Sequence, residues 1–86
     1  METFLIVILP FAEKQIKKLP TIINSKIITA ISNLAKDPRP AGNKKLKGIN
    51  AYRIRIGNYR VIYEIHDDRL AVIVIAAGNR KDIYKW

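Results

Sequence analysis

The stretch Tyr52-Arg53-Ile54-Arg55-Ile56-Gly57-Asn58-Tyr59-Arg60-Val61-Ile62-Tyr63 decides the fold. It is two runs of β-branched and aromatic residues joined by Gly57-Asn58, a two-residue loop that suits a type II′ hairpin turn. Side chains alternate across a strand, so Tyr52, Ile54 and Ile56 share one face and Arg53 and Arg55 the other. The short loop also sets the register: Ile56 opposite Tyr59, Arg55 opposite Arg60, Ile54 opposite Val61. Like charges directly opposite on a sheet cost up to about 1 kcal/mol. Three guanidiniums on one face therefore point to an anion that belongs between them, and arginine is the side chain suited to bidentate phosphate contact. The plain alternative is a solvated face whose charges keep the protein soluble. Solubility alone does not select an Arg–Arg cross-strand pair.

Charge outside the hairpin follows the same pattern. Residues 36–60 carry eight basic side chains against Asp37 alone, a net of +7 out of +9 for the whole chain. Residues 1–35 hold only +2, and residues 61–86 balance to zero. Charge focused in this way steers polyanions and supplies most non-specific nucleic-acid affinity. An anionic membrane is the competing partner, but no basic amphipathic helix accompanies the patch, so nucleic acid ranks above lipid. The lysines of Lys44-Lys45-Leu46-Lys47-Gly48 stand just before the hairpin. Lys44, Lys45 and Lys47 could extend the basic surface along an RNA strand, or form an ordinary charged loop.

The remaining chain supplies a core. With 86 residues, about half of them hydrophobic, it is expected to form a single domain over residues 1–86. Phe4–Leu9 reads as a first strand, which Pro10 stops while opening a helix. Ala12, Ile16 and Leu19 make a narrow apolar stripe, and Glu13–Lys17 is a favourable i,i+4 pair. Pro20 breaks this helix. Thr21 is placed to cap a longer one, whose stripe is Ile23, Ile27, Ala30, Ile31 and Leu34. Residues 37–43, with two prolines and a glycine, read as a loop. His66-Asp67-Asp68-Arg69 reads as a turn with His66 solvated. Leu70–Ala77, apolar at nearly every position, reads as a central strand buried on both faces. The fold class predicted is α+β: an N-terminal strand, a helical hairpin, then three antiparallel strands forming a sheet with helices on one face. Cysteine is absent, which removes disulfides, thiolate nucleophiles and Cys-based zinc sites. Glu64 and His66 share a strand face without a third convergent donor, so no metal is expected, and no other cofactor is expected either. Phe4–Leu9 is too short to span a bilayer and lacks a basic lead-in, so no membrane or targeting segment is expected and the expected location is cytoplasmic.

Three motifs taken together, Lys-Leu-Lys-Gly (45–48), the hairpin (52–63) and Gly-x-Arg-x-Asp-Ile-Tyr (78–84), resemble the RelE/ParE superfamily of bacterial toxins, and more closely its RelE-like ribonuclease branch. The hairpin motif is shared with ParE-like relatives that inhibit gyrase. The Arg80…Tyr84 tail is what favours the nuclease branch. The resemblance implies a toxin of a type II toxin–antitoxin system, held in check by an acidic antitoxin, that cleaves messenger RNA on the ribosome. It implies attack of a ribose 2′-OH on its own 3′-phosphate without a metal. Arg53 and Arg55 fall where the family places basic residues on the first hairpin strand, Arg60 matches the arginine of the second, and Arg80 and Tyr84 match the C-terminal arginine and tyrosine.

The chemistry suits those residue types. Attack by a 2′-OH gives a crowded phosphorane with extra negative charge, and fixed guanidiniums stabilise it more than the ground state. Tyr84 can stack on a splayed base or exchange a proton near the phosphate, or simply pack the tail on the sheet. Arg80 can contact phosphate or lie in solvent. Many relatives carry lysine where Arg53 or Arg55 stands and histidine where Asn79 stands. Arginine cannot act as a base, so these positions are electrostatic and the general base stays open. Two rival functions stand beside the nuclease: a ParE-like gyrase inhibitor, and a basic RNA- or ribosome-binding module without chemistry.

Overall fold

The structure, a computed structural model, describes residues 3–79 and Lys81. Its elements run β1 (Leu5–Ile8), α1 (Pro10–Lys17), α2 (Thr21–Asn33), β2 (Lys44–Lys45), β3 (Tyr52–Ile56), β4 (Tyr59–His66) and β5 (Ala71–Asn79). The five strands form one mixed sheet in the order β1-β5-β4-β3-β2. The predicted class holds, with two additions. β1 pairs parallel to β5, Leu5 beside Ala71 through Ile8 beside Val74. The two lysines at 44 and 45 form a short edge strand on β3, so this part of the lysine segment is sheet rather than loop.

The hairpin forms in the predicted register, Arg55 beside Arg60 and Ile54 beside Val61. Gly57 takes φ +61° while Asn58 keeps a negative φ, the signature of a type II′ turn. Both helices start where the prolines put them. Pro10 is the first residue of α1, where its missing N–H costs nothing. Thr21, however, is the first residue of α2 and not its cap: Pro20 occupies that position, and no side chain caps the helix. Asn24 donates from Nδ2 to the Ile16 carbonyl at 3.0 Å, which also accepts from the Leu19 amide at 3.1 Å, so the side chain ties the start of α2 to the end of α1.

One face of the sheet carries the helices. Ala12 and Ile16 of α1 and Ile27, Ile31 and Leu34 of α2 pack on Ile54, Val61, Tyr63, Ile65, Val72, Val74 and Ala77. Burial of such side chains contributes roughly 1.5–3 kcal/mol each for the larger ones. β5 lies between β1 and β4 as an interior strand, next to the middle strand β4. Ala71, Ile73 and Ile75 are only half-buried, so the expected burial of both faces is incomplete, and Leu70 belongs to the preceding turn, with φ +50°. A bulge between Ile62 and Tyr63 shifts the β4–β5 pairing: Tyr63 faces Val74, whereas Ile62 faces Ala76. Beyond it, Val61 and Ala77 point to the helices, and Ile62, Ile75 and Ala76 form a small second core on the opposite, outer face. Ala51 and Leu46 complete that second core. The turn between β2 and β3 is closed by the Leu46 amide donating to the Ala51 carbonyl at 2.9 Å.

Candidate nucleic-acid interface

The basic residues converge on the outer face, at the end of the sheet made by β2, β3 and the start of β4. Two-residue hairpins bond the pair flanking the turn, so Ile56 and Tyr59 exchange backbone hydrogen bonds and Arg55–Arg60 is a non-bonded pair. Side chains approach more closely at such pairs, about 4.5 Å between Cα atoms. On its other side Arg60 meets Gly78 of β5. This pairing exists because the bulge shifted the register, and it sets a residue without a side chain beside Arg60. Lys44, Lys45, Leu46, Lys47, Arg53, Arg55 and Arg60 together line a concavity of ≈ 340 Å³. A smaller one of ≈ 160 Å³ lies between Arg55, Arg60 and the turn residues Gly57 and Asn58. Neither has an acidic lining residue. Among the described residues, none of these six cations has a carboxylate partner.

Arg53 departs from the expected solvated face. It is only 8% exposed, and its buried Nη1 has no hydrogen-bond partner among the described residues. The cause lies in the short strand β2 and the 46–51 turn, which sit beside it and whose Leu46 and Ala51 pack on Ile62 and Ala76. Burial, then the charges of Arg55 and Arg60, depress its affinity for the proton. Leaving a charged donor buried without an acceptor costs at least about 1–3 kcal/mol. An anion bonded to this guanidinium would offset part of that cost. Chemically, the site offers one buried and two more exposed guanidiniums around one concavity, with flanking ammonium groups.

A clamp that sequence reading missed delivers the lysines to this place. Arg39, in the Pro38-Arg39-Pro40 loop, donates to both carboxylate oxygens of Asp67 at 2.9 and 3.3 Å, and its guanidinium lies 5.3 Å over the Tyr52 ring. Tyr52 in turn stacks on Tyr63, whose buried hydroxyl donates to the Pro38 carbonyl at 2.8 Å. The clamp pins the segment before β2 to the β4–β5 turn. Arg39 holds the Asp67 carboxyl below the usual carboxylate range, and burial raises the Tyr63 hydroxyl. The only signal in the sequence was a lone arginine between two prolines. His66 is also corrected: it ends β4, half-buried, with Nε2 2.9 Å from Glu64 Oε1. No cluster of three or more metal-ligating side chains occurs among the described residues. No described helix is long and apolar enough to cross a membrane.

Of the residues singled out from sequence, the structure brings Arg53, Arg55, Arg60, Lys44, Lys45 and Lys47 to one concavity. Arg80 and Tyr84 lie outside the described residues. Asn79 pairs with Tyr59, and its side-chain oxygen accepts from the Lys81 amide at 3.0 Å.

Comparison with known proteins gives a consistent answer. The model of the ParE toxin of type II toxin–antitoxin systems matches residues 6–84. Toxin RelE3 of Methanocaldococcus jannaschii is 37% identical over 79 residues, 85% of this chain and 86% of that protein. The mRNA interferase toxin RelE of Escherichia coli is 29% identical over 73 residues, 81% of this chain and 76% of that protein. Among solved structures, the archaeal RelE–RelB complex from Pyrococcus horikoshii contains a chain that superposes with a TM-score of 0.81 at 25% identity, covering 91% of this chain and 96% of that one. The fold described above is thus that of a family: this chain belongs to the RelE/ParE superfamily of type II toxin–antitoxin toxins, on its RelE-like side.

Proposed function

We propose that this toxin is an endoribonuclease that cleaves messenger RNA on the ribosome, by attack of a ribose 2′-OH on the adjacent phosphate. The observation that carries the reading is the buried Arg53, whose Nη1 has no hydrogen-bond partner among the described residues, beside the Arg55–Arg60 pair. Three fixed cations around one concavity suit a dianionic phosphorane better than a monoanionic phosphodiester, which is the condition for catalysis. Guanidinium and ammonium groups have no lone pair for a metal ion, so the side chains lining the concavity supply electrostatic stabilisation and positioning. Arg53, Arg55 and Arg60 hold the phosphate, and Lys44, Lys45 and Lys47 track the neighbouring backbone. Arg80 and Tyr84 complete the site in this reading, contacting phosphate and stacking on a base. The name of the E. coli relative, an mRNA interferase, supports the same assignment.

The cognate partner in this proposal is an acidic antitoxin that neutralises the concavity, as suits a domain with +7 in 25 residues. Relatives solved as RelE–RelB complexes support such a partner. The deciding experiment is induced expression with primer-extension mapping of transcripts beside plasmid supercoiling gels, followed by end-group analysis of message cut on purified translating ribosomes. Cut transcripts with 2′,3′-cyclic phosphate or 3′-phosphate ends are the expected result. Intact transcripts with collapsed supercoiling would establish the gyrase inhibitor instead, and 3′-hydroxyl ends would exclude 2′-OH attack.

A further inference from the structure

A second depression lies around the edge of β3 from the phosphate concavity. β2 covers β3 only at Tyr52 and Arg53. Since Ile54 and Ile56 bond toward β4, the backbone N–H and C=O of Arg55 point outward at an uncovered edge. Facing that edge is the C-terminal half of α2. The space between is a cleft of ≈ 540 Å³ walled by Ala30, Leu34, Ile54 and Ile56, with Asn33 at its rim. It continues into a second cleft of ≈ 430 Å³ toward Thr29, Lys26 and Ser25. Volumes of this order, roughly 300–1,000 Å³, are those of small-molecule sites. Arg53, with its unpartnered buried Nη1, lines both the first cleft and the phosphate concavity. Arg55 lines all of these depressions, so it stands at their junction.

We propose, building on the ribonuclease reading, that this cleft is a nucleobase subsite. With a phosphate between Arg53, Arg55 and Arg60, the base of an adjoining nucleotide crosses the edge of β3 and enters between α2 and the strand. There the backbone N–H and C=O of Arg55 meet a base edge, whose donors and acceptors also lie side by side. The apolar walls take the faces of the ring, and the Asn33 amide reads a further edge position. An added peptide strand fits less well. Between β2 and the turn at Gly57, Arg55 alone offers outward backbone groups, so a strand would gain one bonded residue and no ladder. Among the described residues no acidic side chain lines either cleft, which favours an anionic polymer.

The test uses ribosome-bound message carrying 4-thiouridine at single positions around a 2′-deoxy, uncleavable site, with crosslinked peptides mapped on the toxin. Cleavage profiles of Asn33→Ala and Thr29→Trp on ordinary message run in parallel, with melting curves to establish that both fold. Crosslinks into residues 25–34 or 54–56 are expected from one flanking position. Asn33→Ala should flatten base preference at that position at least about tenfold, and Thr29→Trp should displace the crosslink. Wild-type base preference in both variants, with crosslinks only elsewhere, overturns the subsite. A toxin that crosslinks in the cleft yet cuts no message keeps the subsite and removes the nuclease reading; one that cuts without crosslinking there does the reverse. If the two variants instead lose only antitoxin affinity, the cleft is a protein dock and the proposal fails.

Discussion

The outer face of the sheet has two ends with opposite chemistry. At the β2–β3–β4 end stand Lys44, Arg53, Arg55 and Arg60, charged side chains crowded against one another. At the β1–β5 end stand Leu5 and Val7, 67% and 36% exposed, beside Ala71 and Ile73 in register. Between them sits the small core of Ile62, Ile75 and Ala76. Both ends break the usual rule for a half-solvated sheet, which asks for polar, unlike-charged neighbours outside. They break it differently. The apolar end loses only the hydrophobic stabilisation that a partner surface would add, whereas the basic end carries, among the described residues, unbalanced charge and an unpartnered buried donor. The electrostatic end is therefore where a ligand changes the molecule most.

The largest expected effect breaks the comparison at Arg60. Arg60→Ala should lower message cleavage by on the order of 100- to 1,000-fold, the cost typical of removing one transition-state donor. Arg60→Lys should restore part of it, because a point charge lacks the bidentate fork. Folding should be unchanged or slightly improved in both, since a like-charge pair is relieved. Rates on translating ribosomes and melting curves check this. A folded Arg60→Ala protein cutting at the wild-type rate would move the site off the hairpin.

Arg53→Met separates function from stability. The hydrophobic replacement should cost roughly tenfold to a hundredfold in cleavage, the worth of a hydrogen bond to a charged group. Yet the melting temperature should hold or rise, because a buried cation without a partner at Nη1 among the described residues gives way to an apolar side chain of similar reach. Each kcal/mol gained would appear as about 4–8 °C in a domain of this size. A fall in melting temperature would mean that Arg53 holds the second core together rather than a ligand.

The clamp that positions β2 supplies a pH test. The Asp67 carboxyl titrates lower in the folded chain than in the unfolded one. Its contribution is therefore complete above the unfolded value, about 3.9, and is lost as pH falls through the folded one. The melting temperature should drop on acidification below pH ~4, and Asp67→Asn should flatten that part of the profile while lowering stability at pH 7. An unaltered profile in Asp67→Asn would assign the acid sensitivity to other carboxylates. The smallest effect belongs to the apolar end. Leu5→Lys with Val7→Lys should leave cleavage within about twofold, and stability within roughly 0.5 kcal/mol per site as for ordinary surface changes. A tenfold loss of cleavage there would mean that the RNA track crosses the whole face.

By itself the sequence determined what depends on near neighbours along the chain. The two-residue loop at Gly57-Asn58 set the hairpin register and the Arg55–Arg60 pair, Pro10 and Pro20 set the helix starts, and the unbroken apolar run set an interior strand. Each of these follows from alternation, helical period or a fixed φ, which act over a few residues. What the tertiary structure decided joins distant segments: β1 beside β5 some 66 residues on, Arg39 forked on Asp67 across 28, and the Leu46 turn closing over Arg53. The bulge at Ile62 belongs with these, since it alone puts Gly78 rather than a side chain next to Arg60. Such pairings have no period to announce them, because they are chosen by which surfaces must be buried once the helices cover the sheet. The basic residues were legible in the sequence. The burial of Arg53 and the open edge at Arg55, which turn a charged face into a shaped site, were settled only by the packing of segments far apart in the chain.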